Sequence, residues 1–177
     1  VCAECHAGVS KVEDLQNVRM QGSLADYDGD GNTTEGIAAE LDGLQAMLLQ
    51  GIQAYGSEVA GASIGYASDA YPYFFIDTND DGEIGADEAV FNNAYKSWTA
   101  RLLKAAYNYQ MAAKDPGKFA HNAKYMIQLM YDSIEDLNTV PATKVDLTTA
   151  RRQDPGHFAG NTEAFRHWDE DGEVPAA

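Results

Sequence analysis

The clearest periodic signal in the chain runs through Ile37, Leu41, Leu44, Leu48, Ile52 and Tyr55. Spacings of three and four residues put these side chains on one face of an amphipathic helix of about 20 residues. Trp98, Leu102, Leu103, Ala106 and Tyr109 mark a second helix from about 97 to 113. Phe119, Ala123, Met126, Ile127, Met130, Ile134 and Leu137 mark a third from about 117 to 137. Between them, Asp115-Pro116 sets a capping acid before a proline at the first helical position. Tyr71-Pro72-Tyr73-Phe74-Phe75-Ile76 is continuously apolar around a proline and reads as an extended buried segment, part of short irregular or β pieces near 59 to 76. The pattern thins after Leu137, where Pro141, Pro155 and Pro175 punctuate few apolar clusters. There Asp154-Pro155-Gly156-His157-Phe158-Ala159-Gly160-Asn161 repeats the stretch from Asp115 at six of eight places, one helix-start device used twice. The expectation is a mainly α fold, with a helical domain over 1–137 and an extended C-terminal arm over 138–177 that packs on the domain or on a neighbouring subunit.

Charge changes this picture. Acids outnumber bases 28 to 12 among 177 residues, giving a formal charge of −16 and a pI near 4.3. So acidic a chain excludes nucleic acid and anionic membrane surfaces as main partners. No apolar run approaches the roughly 18 residues of a membrane span. Half of the acids fall in three short segments, around Asp26–Glu35, Asp77–Glu88 and Asp169–Glu173.

The second segment, Asp77-Thr78-Asn79-Asp80-Asp81-Gly82-Glu83-Ile84-Gly85-Ala86-Asp87-Glu88, matches the twelve-residue EF-hand loop at its diagnostic positions. Asp77, Asn79 and Asp81 supply side-chain oxygens, Glu83 a backbone carbonyl and Glu88 a closing carboxylate. Gly82 allows the sharp turn, Ile84 packs inward, and calcium is the expected occupant. The first segment begins equally well, with Asp26, Asp28, Asp30, Gly31 and Asn32, but its twelfth position is Ile37, which cannot bind an ion. Glu35 can close the site if the following helix starts a turn sooner, with Thr33 or Thr34 as its cap. The third segment has the right centre without a closing Glu and reads as a solvated acidic tail. No incoming helix precedes the second loop, so both loops are expected to brace a scaffold and not to act as a paired sensor.

The two cysteines stand together in Cys2-Ala3-Glu4-Cys5-His6, the C-x-x-C-H attachment sequence of c-type haem. On a helical turn the three residues share a face, so two thiols meet the vinyl groups while the imidazole of His6 reaches the iron as proximal ligand. Zinc and redox-dithiol readings are weaker, because the remaining histidines, His121, His157 and His167, are scattered and no strand precedes residue 2. These three are the candidates for the sixth haem ligand, with the two on the arm favoured. Tyr66, Tyr71, Tyr73, Phe74 and Phe75 read first as core and second as a haem wall, and Met126 and Met130 as core.

Five segments together resemble a module of large bacterial multihaem c-type cytochromes. They are the haem motif, Tyr27-Asp28-Gly29-Asp30-Gly31 with Thr33-Thr34-Glu35-Gly36-Ile37, Tyr71 to Asp77, Asp115-Pro116-Gly117, and Phe165 to Gly172. The chain departs from that family in holding one haem motif. The resemblance implies a helical c-type cytochrome domain, electron transfer, haem c as cofactor and a periplasmic or extracellular location, while the spacing of the EF-hand-like loops adds calcium as the second cofactor. Redox partner proteins or neighbouring copies are the expected partners of a chain that is a homo-oligomer subunit or part of a longer chain. An arm histidine that ligated a neighbour's haem would join copies head to tail in a filament. The alternative function is a calcium-stabilised structural or assembly subunit whose haem carries little electron traffic. No set of catalytic side chains is evident, and peroxidase-like chemistry would need an open sixth haem position.

Overall fold

A computed structural model describes residues 8–20 and 22–154 of the chain. The order of elements is α1 (Ile37–Tyr55), β1 (Ile64–Tyr66), β2 (Phe74–Ile76), α2 (Ala100–Lys114), α3 (Lys118–His121) and α4 (Ala123–Leu137), with short 3-10 turns at Val12–Asn17 and Phe91–Asn93. The fold is mainly helical, as the periodicity implies, and β1 and β2 form one antiparallel pair in which Gly65 faces Phe75.

The chain divides into two compact units. Among the described residues, unit 1 comprises 8–45, 115–132 and 146–154, and unit 2 comprises 46–114 and 133–145. In unit 1, Val9, Tyr27, Ile37, Leu41, Leu44, Met126, Ile127 and Met130 are buried. Removing such apolar side chains from water is the main stabilising term of the unit. Arg152 adds a two-pronged contact to Asp132, Nε to Oδ1 at 2.7 Å and Nη2 to Oδ2 at 3.0 Å, and the N–H of Arg151 donates to Tyr27. Residues 146–154 are thereby fixed onto unit 1, with Ala150 buried.

Unit 2 buries Leu48, Ile52, Tyr55, Ile64, Phe74, Phe75, Tyr95, Leu102, Tyr109, Ile134 and Leu137. Tyr66 lies 4.8 Å from Tyr109 and 5.1 Å from Phe74, ring centre to ring centre, both edge to face. Phe74 meets Trp98 in the same way at 5.7 Å. These are the favoured aromatic geometries and make this cluster core. Tyr71, by contrast, is 72% exposed.

Three details differ from the periodicity. Helix α2 starts at Ala100, not near 97, because the Thr99 hydroxyl accepts the N–H of Leu102 as an N-cap. Leu103, placed on the apolar stripe from its spacing, is 52% exposed. The helix expected over 117–137 is broken at Asn122, whose side-chain oxygen accepts the N–H of Tyr125 and restarts the chain as α4. Before the break, Asp115 accepts the N–H of Gly117 at 2.9 Å, but α3 starts only at Lys118 with Gly117 as its N-cap, so Asp115-Pro116 is a turn ahead of the helix and not its capping acid and first residue.

Candidate functional site

Both acidic loops fold around their own backbone donors. In the first, Asp26 accepts the N–H groups of Gly29 at 2.6 Å and Gly31 at 2.7 Å, and Asp30 accepts that of Asn32 at 2.7 Å. Asn32 in turn accepts the N–H and hydroxyl of Thr34 and donates to Glu35 at 3.2 Å. In the second, Asp77 accepts the N–H of Gly82 at 2.8 Å, Asn79 that of Asp81 at 3.1 Å, and Asp81 that of Glu83 at 2.9 Å. The sixth residue has positive φ in both loops, 94° at Gly31 and 86° at Gly82, which glycine alone adopts without strain. Ile84 packs over Gly65 of β1, the inward role its position suggests.

The correspondence extends to a residue that spacing does not reveal. The N–H of Thr78, second in its loop, donates to Glu88 at 2.7 Å, and the N–H of Tyr27, second in the other, donates to Glu40 at 2.7 Å. Glu40 lies on α1, three residues beyond the twelfth position, and is fully buried. Its second oxygen takes the Arg19 guanidinium at 2.5 Å. Oxygens of Asp26, Asp28 and Glu40 lie within 4.8 Å of one another, as do those of Asp28, Asp30 and Glu35. Helix α1 begins at Ile37 and not a turn sooner, so Thr33 and Thr34 do not cap it. The available signal for Glu40 was an acid one residue before Leu41, beside the apolar face of a helix that leaves an acidic loop.

In the second loop Glu88 is turned toward its own backbone, one oxygen accepting the Thr78 N–H and hydroxyl and the other the Gly85 N–H at 3.1 Å. The Thr78 hydroxyl, the Thr78 N–H and the Gly85 N–H together hold the Glu88 carboxyl below the usual carboxylate range. Asp77 is 94% buried, being 6% exposed, and its Oδ1 has no hydrogen-bond partner. A buried carboxylate oxygen left bare is costly, and a cation would relieve that cost.

Asp28 shows the same tension in the first loop. Its carboxylate lies against α1, where a Cβ on Gly43 would come within 1.7 Å of Oδ2, so the approach requires glycine there. Burial first, then the neighbouring Asp30, Glu40 and Glu35, push Asp28 up to about 7. Burial, then Asp30 and Glu40, also raise Glu35. A raised carboxyl stabilises the folded chain while protonated, and that contribution is lost as pH climbs from the ordinary 3.8 through about 7. The chain in chelator should therefore lose stability across that window, and Asp28→Asn, which cannot ionise, should lose less. Urea midpoints below and above the window measure this, and parallel profiles for the two chains would contradict it.

Cys2, Cys5, His6, His157 and His167 lie outside the described residues, as does the third acidic segment. The backbone of His121 ends α3, and its side chain is likewise outside the description. Unit 1 also contains an open apolar cleft of about 320 Å³, lined by Leu15, Val18, Met20, Ile37, Phe119 and Ala123, with Arg19 at its wall. Phe119 and Ala123, read from their spacing as core, face this cleft.

No family model and no solved structure matches the chain. It is similar to C-type polyheme cytochrome OmcC of Geobacter sulfurreducens (strain ATCC 51573 / DSM 12127 / PCA), 30% identical over 142 residues, or 76% of this chain and 15% of the relative. It is equally similar to C-type polyheme cytochrome OmcB of Geobacter sulfurreducens (strain DL-1 / KN400), at 30% over 142 residues and 16% of that protein. The chain thus spans about one sixth of the length of these curated relatives.

Proposed function

The chain is a module of the kind found in large multihaem c-type cytochromes, and from that premise we propose that it transfers electrons through one covalently attached haem c. The observation that carries this reading is the Cys2-Ala3-Glu4-Cys5-His6 motif at the head of a sequence homologous to polyhaem cytochromes. The residues fit the group: two thiols at the attachment spacing and an imidazole beside the second. A bound haem supplies a one-electron iron couple, and the chain supplies the rest. Cys2 and Cys5 would hold the macrocycle, His6 would supply the proximal imidazole to the iron, and a second histidine, His157 or His167 ahead of His121, would be the further ligand. Cytochromes of this kind mature outside the cytoplasm, which supports a periplasmic or extracellular site of action. Redox proteins or neighbouring copies of the chain are the partners.

Calcium is the second proposed cofactor. All the side-chain donors in the two loops are oxygens, as a hard cation prefers, and the bare oxygen of Asp77 fits such an occupant. Asp77, Asn79, Asp81, Glu83 and Glu88 hold one ion, and Asp26, Asp28, Asp30, Asn32 and Glu35 the other, with Glu40 bracing the first loop from behind. The ions fix the acidic loops and take no part in electron traffic.

Production in a host with a c-type maturation pathway tests the haem assignment. The intact mass should rise by one haem over the polypeptide, the reduced protein should show the sharp visible bands of a six-coordinate c-type haem, and Cys2→Ser/Cys5→Ser should abolish both. A polypeptide of unmodified mass under those conditions would overturn the reading.

A further inference from the structure

We infer that residues 146–154 form a strap whose docking is governed by the ion of the first acidic loop, an inference that rests on the calcium proposed above. The loop alternates. Its first, third and fifth residues, Asp26, Asp28 and Asp30, carry the carboxylates, and the two residues between them carry the strap. The carbonyl of Tyr27 accepts the N–H of Arg151 at 3.2 Å, and that of Gly29 accepts the Thr149 hydroxyl at 3.0 Å. The Tyr27 hydroxyl donates to Asp154 at 3.2 Å, beside the Ser23 hydroxyl, which donates to the same oxygen at 2.6 Å. Tyr27, Ser23 and Ala150 are all buried at this junction. Gly29 has a φ of 82°, and a Cβ on it would come within 2.4 Å of the Thr149 hydroxyl oxygen and 2.7 Å of the Ala150 nitrogen. The strap therefore lies directly on the loop backbone.

The same two peptide segments face both ways. Tyr27 gives its N–H to Glu40 at 2.7 Å and its carbonyl to Arg151, and Gly29 gives its N–H to Asp26 at 2.6 Å and its carbonyl to Thr149. An ion among the carboxylates fixes Asp26 and its neighbours, these fix residues 27 and 29, and those residues accept the strap. With no ion, two sets of three acidic oxygens, from Asp26, Asp28 and Glu40 and from Asp28, Asp30 and Glu35, are left within 4.8 Å of one another. Like charges so close repel, and the turns that this repulsion loosens are the ones that present the two carbonyls. The second loop is built differently at the same places. Its second residue, Thr78, is exposed and turns its hydroxyl to Glu88, and its fourth is the exposed Asp80. Dependence on the ion thus belongs to the first loop, and linkage makes it reciprocal: a docked strap tightens the ion.

Hydrogen–deuterium exchange of the full chain tests this, read on the peptide spanning the strap in saturating calcium and in chelator. The strap amides, that of Arg151 among them, should exchange several-fold more slowly in calcium. Asp30→Asn, which weakens the first site and keeps an oxygen for the Asn32 N–H, should abolish that difference, whereas Glu88→Gln, which removes the second site, should leave it. Each variant forfeits one ion, so the pair separates the strap from general stabilisation. Asp154→Ala removes the anchor of the strap and leaves the Ser23 and Tyr27 hydroxyls, 3.0 Å apart, to pair with each other. It should lower the calcium affinity of the first loop several-fold. Strap exchange that is alike in calcium and in chelator, in a chain whose melting temperature calcium raises, overturns the strap and leaves the ions. An equal loss of the difference in Asp30→Asn and Glu88→Gln does the same, as does an unchanged affinity in Asp154→Ala. A melting temperature that calcium does not move removes the proposed ions and the strap together.

Discussion

Arg19→Met should lower the free energy of unfolding by about 3–5 kcal/mol, the range for removing one partner of a buried ion pair. Glu40 is fully buried and the Arg19 side chain is 11% exposed, so the carboxylate left behind would have no water to replace the guanidinium. Two backbone donors, the N–H groups of Tyr27 and Asp28, would remain on its other oxygen and keep the loss from growing further. The double variant Arg19→Met/Glu40→Gln should recover part of the loss, because the orphaned charge goes with its partner. Recovery stops short of complete, since Arg19 also ties down the carbonyls of Ser23, Ala25 and Glu35. Urea unfolding of the parent, both single variants and the double closes the cycle. A single-variant loss below about 1 kcal/mol would mean that water reaches the pair.

Calcium should raise the melting temperature of the same chain by a comparable amount. An ion that binds only the folded state at 100 times its dissociation constant contributes about 2.7 kcal/mol per site, or about 5–10 °C for a chain of this length. Extracellular EF-hand loops bind at about 10⁻⁴–10⁻³ M, so the full effect needs about 10–100 mM calcium and should vanish in chelator. Glu88→Gln should abolish the contribution of the second loop and leave that of the first. Magnesium, which demands a tighter octahedral shell, should substitute poorly. Coincident melting curves in calcium and in chelator would remove calcium from both loops.

Much of the fold is legible in one dimension because burial imposes a period. The α1 stripe, Ile37 to Tyr55, is buried at every position read from the sequence, whereas of the run Tyr71 to Ile76 only Phe74–Ile76 is extended, Tyr71 to Tyr73 forming a turn with Tyr73 at φ 78°. The departures come from groups that act through single hydrogen bonds, which a hydrophobic period does not register. Asn122 breaks a stripe that stays apolar across it, and Thr99 moves a helix start. The loops divide in the same way. The Asp26 and Asp77 turns are local, so spacing within each loop finds them. Glu40 meets its loop only because the first turn of α1 folds back against Tyr27 and Asp28, and that closure depends on tertiary geometry.

The route of the chain through its two units limits how this sequence can be divided. It leaves unit 1 after Gln45, returns at Asp115, leaves after Asp132 and returns at Asp146. The first and third of these crossings fall inside the continuous helices α1 and α4. A cut there would sever helical hydrogen bonds and divide an apolar stripe, so neither unit exists as an uninterrupted stretch that could be inherited alone. Among relatives about five times as long as this chain, recombination can therefore duplicate, shuffle or delete such a segment only as an indivisible cassette.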